Sequence, residues 1–269
     1  MMRHILAVGA HPDDIELGCA GALAAHRSAG DDVTMLVLTG GQNGPGRTSE
    51  RWDEAQQAAH VLKAELLWGG LIDCTLFPDS SLISIVEHAI RSTSADVIYV
   101  HAPDDSHQDH RAAAAATLSA GRMSSRILHY RSPSTVQFNP TVFVDVSEHL
   151  GTKLAALDCH RTQVDGSSMV DLELVMVAAR YFGGMARVQH AEAFAPARFV
   201  WDLVPRPRAA GDAASTTAER PTDRAERGAE RAADFAAERP ADRAADRRAE
   251  QRSGAHHGAH AAPKGEPVW

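Results

Sequence analysis

Ile5-Leu6-Ala7-Val8-Gly9-Ala10-His11-Pro12-Asp13-Asp14 runs from an apolar β-type segment directly into a turn that carries one imidazole and two carboxylates. A short apolar run that stops at a polar turn and is followed by a helical pattern is how a buried strand of a parallel sheet opens. The same alternation recurs down the chain. It predicts strands at 5–10, 33–39, 64–68, 96–101, 127–130 and 142–146, and helices at 18–29, 49–63, 82–92, 109–120, 147–160 and 169–182. Strands alternating with helices indicate an α/β fold, Rossmann-like, with a mostly parallel sheet and helices on both faces. The first four strands are expected to be parallel, since each return to the sheet needs a crossover.

Open parallel sheets bind ligands beyond the carboxyl ends of their strands, so polar residues placed directly after a strand carry functional weight. Two stretches satisfy this. One is His11-Pro12-Asp13-Asp14 after the first strand, and the other is His101 to His110 after the fourth, which contains His107-Gln108-Asp109-His110. His11 and Asp14, three apart on a turn stiffened by Pro12, are able to converge on one cation. Taken alone, Asp13 or Asp14 could merely cap the following helix, and Asp109 could cap the one beginning near it. Two His-rich clusters at two strand ends can meet in space. One His from each plus a carboxylate makes a mixed N/O donor set with an open position, which is catalytic rather than structural zinc, with iron, cobalt or nickel also compatible.

In these motifs residues 4 to about 203 resemble the PIG-L/LmbE-like family of zinc-dependent N-acetylglucosaminyl deacetylases, whose pattern is a His-Pro-Asp-Asp turn and a His-x-Asp-His element about 100 residues later. Further landmarks agree in order: Thr39-Gly40-Gly41, Arg51 with Glu54, Phe77-Pro78-Asp79, His160-Arg161-Thr162-Gln163 and Ala191-Glu192-Ala193-Phe194. The resemblance implies that His11, Asp14 and His110 ligate zinc and that Asp13 is the general base. It implies that His107 stabilises the oxyanion or acts as acid with Asp109 behind it, and that Arg51 contacts substrate or the reacting acyl group. Without the resemblance, Arg51 would read as a surface charge on an exposed helix. The implied activity is hydrolysis of an N-acetyl group from an amino-sugar conjugate, as in thiol or antibiotic biosynthesis. Two positions depart from the commonest family form, Ile15-Glu16 where Glu usually follows the aspartates and Gln42 where an acidic residue is common.

Composition narrows the alternatives. Residues 1–205 carry 24 acidic against 15 basic side chains, which argues against a nucleic-acid backbone as partner. Cys19, Cys74 and Cys159 form no CxxC pair and are read as reduced packing thiols. The apolar start is too short for a signal peptide and no stretch approaches a membrane span, so a soluble cytoplasmic protein is expected. Gly9-Ala10-His11 replaces the glycine fingerprint of dinucleotide-binding sheets. A metal-dependent amidase of a thiol conjugate and a noncatalytic ligand-sensing module are the remaining alternatives. Asp13, which a mere metal holder does not need, weighs against the second. Residues 206–269, rich in Ala, Arg, Glu and Asp with the near-repeats Ala-Glu-Arg-Pro, offer little to bury and are expected to form a disordered tail after a deacetylase domain at 1–205.

Overall fold

The structure, a computed structural model, describes residues 2–202; the expected tail lies outside them. In chain order the elements are β1 (His4–Gly9), α1 (Asp14–Ser28), β2 (Asp32–Thr39), α2 (Thr48–Leu62), β3 (Glu65–Leu71), α3 (Ser80–Thr93) and β4 (Val97–His101). They continue with α4 (Gln108–Ala120), β5 (Arg126–Tyr130), β6 (Val142–Asp145), α5 (Leu150–Asp158), α6 (Arg161–Val164), α7 (Leu172–Ala186) and β7 (Ala191–Phe199). Among the described residues the seven strands form one sheet in the order β3-β2-β1-β4-β5-β7-β6. The first five run parallel, and β7 pairs antiparallel with both β5 and β6. The expected Rossmann-like, mostly parallel α/β sheet is therefore what the chain builds.

The core has two halves, one on each face of the sheet. Ile5, Ala7, Met35, Tyr99 and Phe194 point to the side covered by α1, α2 and α5, whereas Leu6, Val8, Leu36, Ile98 and Val100 point to the side of α3 and α4. Alternate residues of each strand thus face opposite layers, which is why the strands read as unbroken apolar runs. No helix among the described residues is long and apolar enough to cross a membrane.

Several elements differ from the sequence expectation, β3 running on to Leu71 and the helix expected at 169–182 spanning Leu172–Ala186. Helix α1 begins at Asp14, four residues before the expected start at Gly18, because Asp13 turns the chain with φ of 104° and sends it straight from the polar turn into the helix. The helix expected at 147–160 ends at Asp158, and a separate turn, α6, follows His160. Strand β7 has no counterpart among the expected elements, since Pro196 interrupts its alternating pattern; the proline sits where the pairing with β5 shifts register.

Gly18 lets α1 lie against β5. A Cβ there would fall 2.1 Å from the ring of Tyr130, which is fully buried and donates its hydroxyl to the Val8 carbonyl at 2.7 Å. Gly18→Ala is expected to destabilise the protein by about 1–3 kcal/mol through overpacking. A urea midpoint unchanged from wild type would show that Tyr130 moves aside freely.

Candidate functional site

The strand order reverses at β1, which has β2 on one side and β4 on the other. At such a switch point the loops leaving neighbouring strands part and leave a crevice. Five loops meet there, supplying His11, Asp13 and Asp14 after β1, Gly41 after β2, Asp73 after β3, His101 to His110 after β4, and Ser132 after β5.

Asp14 is the hub. Its Oδ2 lies 3.2 Å from His11 Nδ1 and accepts the His11 amide at 2.7 Å, while its Oδ1 lies 3.3 Å from His110 Nε2. The second nitrogen of each ring also faces a carboxylate: His11 Nε2 is 2.9 Å from Asp73, and His110 Nδ1 is 3.2 Å from Asp105. An imidazole between two carboxylates has to carry a proton on both nitrogens or share one side with a cation. Burial opposes the charged form of His11, but Asp109, Asp14 and Asp73 raise its pKa well above the usual value. Burial likewise opposes charge on His110, yet Asp14 and Asp105 push its pKa up to about 9. Asp14 is held well below the usual carboxylate range, because the charge on His110 overcomes the effect of burial.

The donors fit a divalent cation: His11, His107 and His110, and likewise Asp14, His101 and His110, bring one ligand atom each to within 4.8 Å of one another. Asp13, Asp14, Asp73, Asp105 and Asp109 are all buried around this point, with Arg51 the permanent cation among them. A metal taken by His11 Nδ1, Asp14 and His110 Nε2 would replace the two inner protons and leave the outer N–H groups on Asp73 and Asp105. Outer carboxylates that fix the ring and raise ligand basicity are the usual support of a metal-bound histidine. His101, fully buried, is a third imidazole beside Asp14, its Nε2 3.2 Å from Oδ2. It accepts the Ala10 amide at 3.1 Å and stays neutral, its pKa lowered to about 4 by burial and by His110.

Asp13 stands beside the hub without joining it. Burial and the neighbouring Asp14 raise its pKa to about 7, against the pull of Arg51 and His160. Arg51 proves to be buried rather than on an exposed face. Its guanidinium donates to the Gly41 carbonyl at 2.7 Å and the Pro12 carbonyl at 2.8 Å, and Nη2 lies 3.6 Å from Asp13 Oδ1. It therefore braces the turn that carries Asp13. A Cβ at Gly41, where φ is 60°, would strike this guanidinium at 1.8 Å, which accounts for glycine there.

His107 caps α4, its Nδ1 accepting the Asp109 amide at 3.2 Å. The expectation that the Asp109 side chain stands behind His107 needs correction. That carboxylate instead accepts the amides of Cys74 at 2.7 Å and Leu76 at 3.2 Å, and lies 3.4 Å from His11. Asp109 reaches His107 through its backbone. With Nδ1 an acceptor, the proton of the neutral ring sits on Nε2; burial, His11 and His110 lower the His107 pKa and favour that neutral form.

Two carboxylates beyond the expected set also matter here. Asp105 binds His110, Ser132 at 2.6 Å and Thr135 at 3.0 Å. Asp73 follows β3 directly, so the carboxyl-end rule that found His11 points to it as well. Gln42 accepts the Asp73 amide at 2.9 Å and so tethers the β2 and β3 loops. Glu16 pairs with His160 at 3.1 Å, both fully buried, and Glu54 fixes the turn after His160 by accepting the Thr162 amide at 2.8 Å and its hydroxyl at 2.6 Å. Glu192 is an ion partner, 2.5 Å from Lys153.

Comparison with known proteins agrees with this architecture. Residues 6–121 match the PIG-L family model, described as GlcNAc-PI de-N-acetylase. The chain is 36% identical over 169 residues to the uncharacterized deacetylase YaiS of Escherichia coli (strain K12), covering 60% of this chain and 91% of that one. It is 28% identical over 189 residues to a probable N-acetyl-alpha-D-glucosaminyl L-malate deacetylase 2 of Bacillus subtilis (strain 168), covering 62% and 86%. The crystal structure of the conserved protein TT1542 from Thermus thermophilus superposes with a TM-score of 0.68 at 28% identity, over 77% of this chain and all of that one.

Proposed function

The chain belongs to the PIG-L family, and from that premise we propose that it is a metal-dependent N-deacetylase that releases acetate from a small N-acetylglucosaminyl conjugate. The observation that carries this reading is the placement of His11 Nδ1 and His110 Nε2 on opposite oxygens of Asp14, with the carboxylate of Asp13 alongside and outside the donor set. His11, Asp14 and His110 would hold the metal, with zinc the first choice for two imidazoles and a carboxylate. When bound, the metal supplies Lewis acidity towards the acyl carbonyl and acidifies water.

The remaining steps fall to side chains of this chain. Asp13 takes a proton from the attacking water and returns it to the departing nitrogen, work suited to a carboxylate whose proton affinity lies near neutrality. Arg51 keeps Asp13 aimed by holding the Pro12 carbonyl of its turn together with the Gly41 carbonyl of the β2 loop. His107 offers its Nε2–H to the carbonyl oxygen as negative charge gathers there. Water adds across the C–N bond, and the products are acetate and a free amine.

The test is to incubate metal-loaded protein with N-acetylglucosaminyl conjugates of inositol and of malate and to quantify acetate and primary amine. Equimolar release that stops on chelation and returns with zinc is expected; no acetate from any conjugate would sink the proposal. His107→Ala should retain wild-type metal content while turnover falls about 100- to 1,000-fold, the loss typical of one oxyanion donor. Loss of metal instead would exchange the roles of His107 and His110.

A further inference from the structure

Beside the hub lies a second group of donors that the proposed reaction does not use as a set. The side chains of Asp73, Cys74 and His107 bring one ligand atom each to within 4.8 Å of one another. Cys74 is exposed at the mouth of the crevice, Asp73 is buried below it and His107 is half-buried beside it. The backbone holds the thiol there: the Cys74 amide donates to Asp109 at 2.7 Å, and its carbonyl accepts from Gln108 Nε2 at 2.6 Å. Cys74 keeps this place with φ of 61°, a left-handed conformation uncommon outside glycine.

We propose that Asp73, Cys74 and His107 form a second, inhibitory binding site for zinc or a similarly thiophilic divalent cation, at the entrance to the deacetylase centre. A carboxylate, a thiolate and an imidazole are three ligands of a type zinc accepts, with a fourth position open to water. Binding forms one metal–sulfur bond and releases the thiol proton to solvent. The metal thereby offsets the repulsion that Asp73 and Asp109 impose on a thiolate. In the metal-free protein burial and Asp73 raise the Cys74 pKa, so the side chain is not a ready nucleophile by itself. Capturing His107 ends its bond with the Asp109 amide and withdraws it from the carbonyl oxygen of a substrate. Asp73 also contacts His11, so the two sites share a neighbour and excess metal reaches the reaction from two directions.

The inhibitory consequence rests on the deacetylase reading; the metal site itself does not. Cobalt titration of the full-length protein separates them. The first equivalent, bound by nitrogen and oxygen, should give visible d–d bands alone. The second should add a near-ultraviolet sulfur-to-cobalt charge-transfer band. Cys74→Ser should abolish that band and keep the visible ones, whereas Cys159→Ser should keep both. In the activity arm, Cys74→Ser should leave turnover at stoichiometric zinc unchanged and raise the half-inhibitory zinc concentration by about tenfold or more. Absence of the charge-transfer band at excess cobalt, its survival in Cys74→Ser, or equal zinc inhibition of both proteins would overturn the proposal. A wild-type protein that shows the band but deacetylates nothing would refute the catalytic reading and leave the metal site standing.

Discussion

Asp13→Asn is expected to lower kcat/KM by about 100- to 10,000-fold, the range associated with loss of a general base, while metal content stays at the wild-type stoichiometry. Asparagine is the informative replacement. It has the shape of aspartate and tolerates positive φ better than most residues, so the turn at φ 104° need not rearrange. What it removes is the capacity to take a proton. Because Asp13 stands apart from the Asp14 contacts with His11 and His110, those ligands should remain in place. Acetate release and metal analysis on the same preparation check the two halves together. An Asp13→Asn protein with ordinary activity would refute the assignment, and one that has lost its metal would place Asp13 among the ligands.

Lys153→Met should be the most destabilising of these substitutions, by about 3–5 kcal/mol, since it strands one member of a buried ion pair. Lys153 and Glu192 are both buried, and their contact joins α5 to β7. The pair also grips α1. Lys153 donates to the Leu17 carbonyl at 2.7 Å, and the Glu192 carboxylate accepts the amides of Gly21 at 3.0 Å and Ala22 at 2.6 Å. Methionine fills similar volume but leaves that carboxylate without its cation. Urea denaturation measures the loss, and Lys153→Met combined with Glu192→Gln should recover part of it, as expected for coupled residues. A single-variant loss below about 1 kcal/mol would mean that the helix amides alone satisfy Glu192.

The parallel half of the fold was legible in sequence because β1 to β5 are apolar on both faces and punctuated by helical patterns, a signal that survives without tertiary information. Strand β7 was not, since its pairing depends on partners more than 40 residues away and its proline breaks the local pattern. The same division holds in the crevice. His11, Asp13, Asp14, His107 and His110 sit in compact motifs at strand ends and could be read directly. Asp105 and the burial of Arg51 could not, because each acquires its role from a contact with another loop, whereas Asp73 lies within reach of the strand-end rule but stands outside any motif. The direction of the Asp109 carboxylate differs from what the family resemblance implies, since the helix start turns that side chain towards the amides of Cys74 and Leu76.

The position of β7 also sets an order of assembly. Every metal and proton-handling residue proposed here lies before residue 111, yet the clamp on α1 is closed by Glu192, from the last strand in the described chain. During synthesis the amino-terminal strands emerge first, with their histidines and aspartates, but helix α1 lacks its Glu192 clamp until the carboxyl-terminal strand slots between β5 and β6. A nascent chain halted before that strand would carry Asp14, the first residue of α1, on a helix that lacks this clamp, so full competence for chemistry should arrive late.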